Sequence, residues 1–189
     1  MVMKLSPGRG LGPFRIGMLV SQAIVELQTN YSAYPVDFHY SSDKPLASDM
    51  LLDMPDMGFR LRFEPLTQRL RLIDVYDTKR VVMTYHGSSW SGPTTDSTFI
   101  RVYDLFGPTF PGKLDAGRGD YFLHYRGLSF TFHIPQEYRS LYGSSNDMPL
   151  ELPDHTTPVA SRVFIYSGSD LLRPEMPPAT GHYCEPVKV

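Results

Sequence analysis

Three arginines of this chain recur at a spacing that could bind anions. Arg60 and Arg62 alternate with apolar residues in GFRLRF, and Arg71 follows after a turn. A period of two predicts a strand with one face in a core, so the three guanidinium groups are expected to share the outer face. Planar guanidinium groups bind phosphate or carboxylate in bidentate fashion. The pattern predicts either a docking surface for a phospholipid head group or an acidic partner, or a solvated face that Glu64 and Asp74 neutralise.

A second candidate contact is the aromatic loop FGPTFPG, which contains Phe106 and Phe110. Two prolines stiffen this loop, so its phenylalanines could pack inward as a plug or point outward as an anchor for another protein. We expect inward packing, because large aromatic side chains are buried more often than they are exposed. Trp90, in another loop, presents the same two alternatives.

Residue types that often carry catalysis or bind metals are present without the spacing that such sites need. The six histidines fit no zinc-binding helix or finger. Asp154, His155 and Ser161 supply the residue types of a catalytic triad, but a proline-rich loop is a poor scaffold and the chain has no G-x-S-x-G elbow. GRGLG at 8 to 12 lacks the strand and helix of a dinucleotide fingerprint, so we interpret it as a flexible loop. We therefore expect no enzyme, no cofactor and no metal, with a hydrolase using His155 as a remaining alternative.

The charge balance argues against nucleic acid as a partner. The chain has 18 Lys and Arg against 20 Asp and Glu, a net charge of −2, whereas nucleic-acid-binding domains usually carry a clustered basic excess. Cys184 is the only cysteine, which excludes an internal disulfide. No apolar run is long enough for a signal peptide or a membrane-spanning helix, so we expect a soluble cytoplasmic protein whose membrane contacts are peripheral.

The elements that would position these residues occur in the same order twice. A helix is predicted at Val20 to Leu27, and a β-hairpin at 58 to 77. A second helix and three further strands are predicted at 99 to 106, 121 to 125, 128 to 132 and 162 to 166. The repeated order indicates an α+β fold, in which helices pack on one antiparallel sheet or on two facing sheets.

The predicted domain organisation follows from this repeat. Residues 1 to 189 are expected to form a single compact body of two related units, each a helix plus an antiparallel β-meander, at about 11 to 86 and 95 to 169. Residues 170 to 189 are expected to be a proline-rich linker and a terminal strand, leading into a missing carboxyl-terminal half.

A family resemblance is carried by five segments in order, namely PFRIGM at 13 to 18, GFRLRFEPLTQRLRLIDVYD at 58 to 77, FGPTFPG at 106 to 112, YRGLSFTF at 125 to 132 and PLELPDHTTPVASRVFIY at 149 to 166. Together they closely resemble the phagosome assembly factor family. The resemblance implies a non-catalytic scaffold with a regulatory role in autophagy. Its implied partner is a WD-repeat β-propeller protein, which would carry most of any phosphoinositide recognition. The pair would gather at the preautophagosomal structure.

Two uses of the candidate surfaces stay open. In the first, Arg60, Arg62 and Arg71 or the FGPTFPG loop contact the propeller or a membrane to which it is bound. In the second, the chain is a peripheral membrane protein that binds anionic phospholipid head groups directly through its arginine-lined face. Salt separates the two, because electrostatic binding to head groups fades as ionic strength rises.

Overall fold

The computed structural model describes residues 1–110, 112–115, 117–142 and 151–176. Within these ranges the chain forms an α+β fold, as predicted from the sequence. Its elements follow in chain order: β1 Val2–Ser6, β2 Gly10–Leu11, β3 Phe14–Arg15, α1 Val20–Asn30, β4 Asp37–His39, β5 Met50–Met54, β6 Phe59–Glu64, β7 Arg69–Val75, β8 Val82–Tyr85, β9 Ser88–Ser89, α2 Phe99–Phe106, β10 Lys113–Asp115, β11 Asp120–Tyr125, β12 Leu128–His133, α3 Arg139–Tyr142 and β13 Ala160–Tyr166.

The larger sheet is antiparallel and has the strand order β10-β11-β12-β13-β7-β6-β5-β4. Each half is a meander of four strands that follows a helix in the chain, α1 before β4 to β7 and α2 before β10 to β13. The halves join where β13 pairs with β7, which places Phe164 opposite Asp74. The two predicted meanders therefore lie in one sheet. Their origin as a duplication, and the exact limits of the two units, stay predictions.

The smaller sheet has the order β3-β2-β1-β8-β9, with β1 parallel to β8. It was missed from the sequence, and our interpretation of GRGLG as a flexible loop is wrong. β1 precedes the glycines, and β2 begins at Gly10. The segment is held because Gly8 N–H donates to the Gly127 carbonyl at 3.0 Å and because Leu11 and Phe14 are fully buried.

The hydrophobic core lies between the inner face of the larger sheet and a layer made of the smaller sheet, α1 and α2. The alternation in GFRLRF works as predicted, since every second side chain of β6 is buried. Fully burying one such Phe or Leu side chain stabilises the fold by about 1.5–3 kcal/mol. The main contributors to this core from the several layers are Phe59, Leu61, Phe63, Phe130, Phe132, Ala23, Leu27, Phe99, Val102, Met3, Leu5, Leu11 and Phe14.

Both predicted helices are present. α1 begins at Val20 as expected and runs three residues beyond the predicted end at Leu27. α2 is capped by Thr98, whose hydroxyl accepts a hydrogen bond from Arg101 N–H at 3.3 Å. Gly107, at a φ of 81°, ends the helix. Of the helices in the described ranges, none is long and apolar enough to cross a membrane.

The outer face of the larger sheet carries different side chains over its first half and over the seam between the halves. Over the first half it is lined by arginines and aspartates. Over the seam it carries a small apolar cluster of Leu72, Phe164 and Tyr166, on which Leu171 packs after the chain leaves β13. The first residues of the predicted linker thus rest on the sheet, whereas the predicted strand at 183 to 189 lies outside the described residues.

Candidate functional site

The arginine ladder, which we define as Arg60, Arg62 and Arg71, lies on the outer face of the first hairpin as the sequence predicts. Arg60 and Arg62 face outward because their neighbours on β6 are buried. Arg71 faces the same way because of a β-bulge, where Arg62 pairs with Leu72 and Phe63 pairs with Leu70. Regular pairing would have placed Arg71 opposite Phe63, on the core side. The extra residue of a bulge turns a side chain to the other face.

Arg62 and Arg71 converge on one carboxylate, that of Asp49. Arg62 Nε donates to Asp49 Oδ2 at 3.1 Å, and Arg71 Nη2 donates to the same oxygen at 2.8 Å. The Asp49 side chain is only 5% exposed, whereas the two arginines are 37% and 35% exposed. The carboxylate is therefore covered by the two guanidinium groups, which keep part of their surface in solvent.

A second buried carboxylate repeats this arrangement across the seam of the sheet. Asp74, at 2% exposed, lies 3.4 Å from Arg60 Nε and accepts from Arg162 Nη2 at 2.5 Å and Arg162 Nε at 3.2 Å. The Arg60 contact is an ion pair without hydrogen-bond geometry, so Arg60 Nε is left without a hydrogen-bond partner. Arg162 was not among the site residues predicted from the sequence. The sequence does not indicate that β13 pairs with β7, and this pairing joins the two halves and brings Arg162 to Asp74.

The Tyr76 phenol extends this polar face at the end of the first hairpin. Its hydroxyl donates to Asp53 Oδ1 at 2.8 Å, and the Arg60 guanidinium carbon lies 4.7 Å from the ring centroid. Burial first, and then the hydrogen bond to Asp53, raise the pKa of Tyr76 to about 12. Tyr76 therefore stays a neutral donor at physiological pH, and Asp53 accepts its hydrogen bond.

Around the ladder, the outer face carries four guanidinium groups, those of the ladder and of Arg162, and four carboxylates, those of Asp49, Asp53, Asp74 and Asp37, which pairs with Asp53 on β4. Each buried carboxylate fixes two arginines, so the cations are held in place before any ligand arrives. Fixed guanidinium groups lose less side-chain entropy on binding an anion. Chemically, this face can present donors to carboxylates or phosphates.

Glu64 does not neutralise the ladder through an ion pair within the described residues. Its carboxylate accepts from the amides of Leu66 and Thr67 and from the Thr67 hydroxyl, at 3.1, 2.7 and 2.7 Å. The bond from the Thr67 hydroxyl is the main reason that the pKa of Glu64 is lowered. Glu64 thus closes the hairpin turn, and Asp49 takes the place that the sequence suggested for it.

The two phenylalanines of the aromatic loop separate. Phe106 ends α2 and packs on the core, with its ring centroid 4.6 Å from that of Tyr85 and 5.6 Å from that of Trp90. Phe110 is 89% exposed, so our expectation of inward packing is wrong for it. The loop is fixed to β11, because Tyr125 donates its hydroxyl to the Gly107 carbonyl at 2.8 Å and Thr109 donates its hydroxyl to the His124 carbonyl at 2.6 Å. The expectation of inward packing is therefore correct for Phe106. Trp90 is buried at 1% exposure, which decides between its two alternatives in favour of the inward one.

The candidate triad residues are engaged elsewhere. Ser161 donates its hydroxyl to the Thr131 carbonyl at 3.0 Å, and Asp154 accepts from the amide and hydroxyl of Thr156. The His155 side chain is 90% exposed, with Nδ1 3.9 Å from Glu151 Oε2. Among the described residues, no group of three or more His, Cys, Asp or Glu side chains is placed to hold a metal ion.

Comparison of the sequence with known proteins identifies its family. The family model described as phagosome assembly factor 1 matches residues 10–189. The chain belongs to the PHAF1 family. Its similarity to PHAF1 proteins includes a plant protein and two animal proteins. Membership in this family suggests a role in phagosome assembly.

Two curated PHAF1 proteins illustrate the similarity. PHAF1 protein At3g51130 of Arabidopsis thaliana is 47% identical over 170 residues, which cover 89% of this chain and 42% of that protein. PHAF1 protein CG7083 of Drosophila melanogaster is 33% identical over 177 residues, covering 93% of this chain and 40% of that protein. The chain thus spans about two fifths of the length of these PHAF1 relatives. No solved structure matches it significantly.

Proposed function

We propose that this PHAF1 chain is a non-catalytic scaffold with a regulatory role in autophagy, which binds a WD-repeat β-propeller protein through its arginine ladder. In this proposal the pair acts in the cytoplasm and gathers at the preautophagosomal structure. Phosphoinositide recognition is mainly the task of the propeller. The proposal rests on membership in the PHAF1 family and on one structural observation, the fixed and partly exposed guanidinium groups of the ladder.

The ladder suits a protein partner because its cations are prearranged. Arg60, Arg62 and Arg71 each keep about a third of their side chain exposed while a buried aspartate holds them. Arginine is enriched at the energetic centres of protein interfaces, where it pairs with acidic groups and packs on aromatic rings. We therefore expect an acidic patch on the propeller to face the ladder.

The experiment is size-exclusion chromatography with light scattering on this chain mixed with the propeller, at low and high salt. The test variant combines Arg60→Gln with Arg62→Gln. This pair removes two charges and leaves Asp74 bonded to Arg162 and Asp49 bonded to Arg71, so both buried carboxylates keep a partner. The matched control combines Lys44→Gln with Arg101→Gln, which removes two exposed charges outside the ladder.

We expect the native chain and the control to elute with the propeller, and the ladder variant to elute separately. Loss of the complex in both variants would indicate a general charge effect and would contradict a role for the ladder. A complex that all three chains form equally would exclude the ladder as the contact.

Phe110 offers a second contact to the same partner. Its side chain is 89% exposed, so the described part of the chain leaves this apolar group free to pack on another protein. Phe110→Ser is the test, and Leu46→Ser, at a site 63% exposed, is its control. A complex weakened only by the Phe110 change assigns the loop to the interface. Equal complexes from both variants exclude it.

The alternative function is direct binding of anionic phospholipid head groups by the same face, favoured by its partly exposed guanidinium groups. Flotation of the chain with anionic vesicles, without the propeller, separates the two functions. Head-group binding should weaken steeply as salt increases, whereas a partly apolar protein interface should survive. Vesicle binding that the Arg60 and Arg62 changes abolish would support the alternative, and absence of vesicle binding would exclude it.

A further inference from the structure

A basic depression lies on the outer face of the smaller sheet, away from the arginine ladder. It has a volume of about 310 Å³ and is lined by Lys4, Ser6, Arg9, Gly10, Gly12 and Arg15. This is within the range of ligand-binding pockets, roughly 300–1,000 Å³. The residues come from β1, β2 and β3 and from the turns on either side of β2, so the sequence segment around GRGLG forms the depression.

The floor of the depression is backbone because a side chain cannot be placed there. A Cβ on Gly10 would lie 2.1 Å from the Phe14 carbonyl oxygen, and the φ of Gly10 is +154°. Met3, Leu5 and Phe14 point into the core, so the alternating residues Lys4, Ser6 and Arg15 stand around the glycine. The backbone floor of the hollow is therefore built into the pairing of β1, β2 and β3.

The charge around the depression is not compensated locally. The chain has no Asp or Glu before Glu26, and none from 78 to 95, which includes β8 and β9. Lys4, Arg9 and Arg15 are exposed, and the described part of the chain supplies no carboxylate within ion-pair distance of them. This contrasts with the ladder, where every guanidinium group already has an aspartate.

The lining residues select among anions. Two arginines offer forked donors, a lysine offers a compact charge, and Ser6 adds a hydroxyl, which together match the several oxygens and double charge of a phosphomonoester. A carboxylate carries only one charge and would leave most of this excess unpaired. None of the described residues that line the depression is aromatic, so they offer no ring on which a base could stack. The ligand is thus a phosphate group rather than a whole nucleotide.

We propose that the depression formed by Lys4, Arg9, Gly10 and Arg15 is a binding site for a phosphomonoester group. The phosphate oxygens lie over the Gly10 backbone and accept hydrogen bonds from the two guanidinium groups, the ammonium group and the Ser6 hydroxyl. The phosphate belongs either to a phosphoinositide head group or to a soluble phosphate compound. This site is separate from the ladder and does not depend on the function proposed for it.

The test measures binding of soluble inositol trisphosphate by calorimetry, and of vesicles by flotation. The vesicles contain phosphatidylcholine with either a phosphatidylinositol monophosphate or, at equal total charge, phosphatidylserine. The variant combines Lys4→Gln, Arg9→Gln and Arg15→Gln, and its control combines Lys44→Gln, Arg101→Gln and Arg173→Gln. These six side chains are exposed, so thermal unfolding should be unchanged in both proteins.

We expect the native chain and the control to bind at least one phosphomonoester probe, and the variant to bind it tenfold or more weakly. Binding of both probes or of the soluble probe alone supports a site for any accessible phosphomonoester, and binding of the vesicles alone supports the lipid source. Three results would overturn the proposal: no binding of either probe, equal binding by the variant, or equal binding to phosphatidylserine vesicles.

Discussion

Arg162 and Asp74 form an ion pair across the seam between the two halves of the larger sheet, with Nη2 2.5 Å from Oδ2. The two residues are 88 positions apart in the chain. Asp74 also lies 3.4 Å from Arg60, so one buried carboxylate connects β6, β7 and β13. The seam is thus held by charge on its outer face as well as by apolar packing on its inner face.

Replacing Asp74 by Asn should destabilise the fold, because two guanidinium groups would lose their carboxylate. Loss of one partner of a buried ion pair typically costs about 3–5 kcal/mol. Arg60 and Arg162 are 30% and 41% exposed, so solvent screening reduces the expected loss to about 2 kcal/mol. Urea unfolding measures it. Asp96→Asn, which breaks an exposed pair with Lys79, should change stability by less than about 0.5 kcal/mol, and equal losses would contradict the role of burial.

Replacing Gly127 by Ala should be much more damaging than replacing Gly87 by Ala. Both glycines have a positive φ, of 74° and 82°. A Cβ on Gly127 would lie 2.4 Å from the Cα of Gly8, whereas a Cβ on Gly87 would meet nothing within 4 Å. The difference between the variants isolates the steric clash, which typically adds about 1–3 kcal/mol. Thermal unfolding of both proteins tests this, and similar melting temperatures would show that the Gly8 turn can move aside.

Stability should fall between about pH 10 and 12 because of two half-buried phenols, Tyr76 and Tyr125. Burial raises the pKa of Tyr76 and of Tyr125 to about 12 from 10.0. Below pH 10 both phenols are neutral in the folded and unfolded chains, so they do not affect the pH dependence. Above it, the unfolded chain loses protons that the folded chain retains, and the free energy of unfolding decreases. Tyr76→Phe should make that decrease shallower in alkaline unfolding, and an unchanged slope would argue against a raised pKa.

Mildly acidic solution should weaken the fold through His124. Its Nδ1 lies 2.8 Å from the Ser129 hydroxyl, and partial burial of the ring lowers the pKa of His124 despite the opposing effect of Asp170. The effect on stability should be small, because the residue keeps much of its surface in solvent. Below about pH 6.5 the unfolded imidazole binds a proton that the folded one does not, so the free energy of unfolding falls as the pH decreases. His124→Gln should flatten unfolding curves measured across this range. His155→Gln, at a 90% exposed site, is the control and should leave the slope unchanged.

The parts of the fold that sequence patterns predicted are those with long, regular periods. Several helical turns or strand alternations are present in α1, in α2 and in the hairpin of β6 and β7. The residues on their buried faces could therefore be predicted from the sequence. β2, β3 and β9 have two residues each, too few to define a period, and the parallel pairing of β1 with β8 joins segments far apart in the chain. The smaller sheet was therefore missed.

The candidate site shows the same limit. The positions of Arg60 and Arg62 follow from alternation, whereas Arg71 faces outward through a bulge that composition does not indicate. Asp49 and Arg162 complete the two carboxylate clusters, but their proximity depends on strand order. Lys4, Arg9 and Arg15 are scattered in a segment without periodicity, and only strand pairing brings them around Gly10. A usable signal did exist, namely the absence of acidic residues before Glu26.

The central place of β7 in the larger sheet has a consequence for synthesis on the ribosome. Its partner β13 begins at Ala160, which follows the end of β7 at Val75 by 85 residues. At about 5–20 residues per second, the apolar edge of β7 waits roughly 4 to 17 s for that partner. An unpaired edge of this kind invites pairing with other chains. During this time the backbone N–H and C=O groups at the edge of β7 are exposed in the nascent chain. A chaperone, or a neighbouring nascent chain on the same mRNA, can then compete with β13 for these groups.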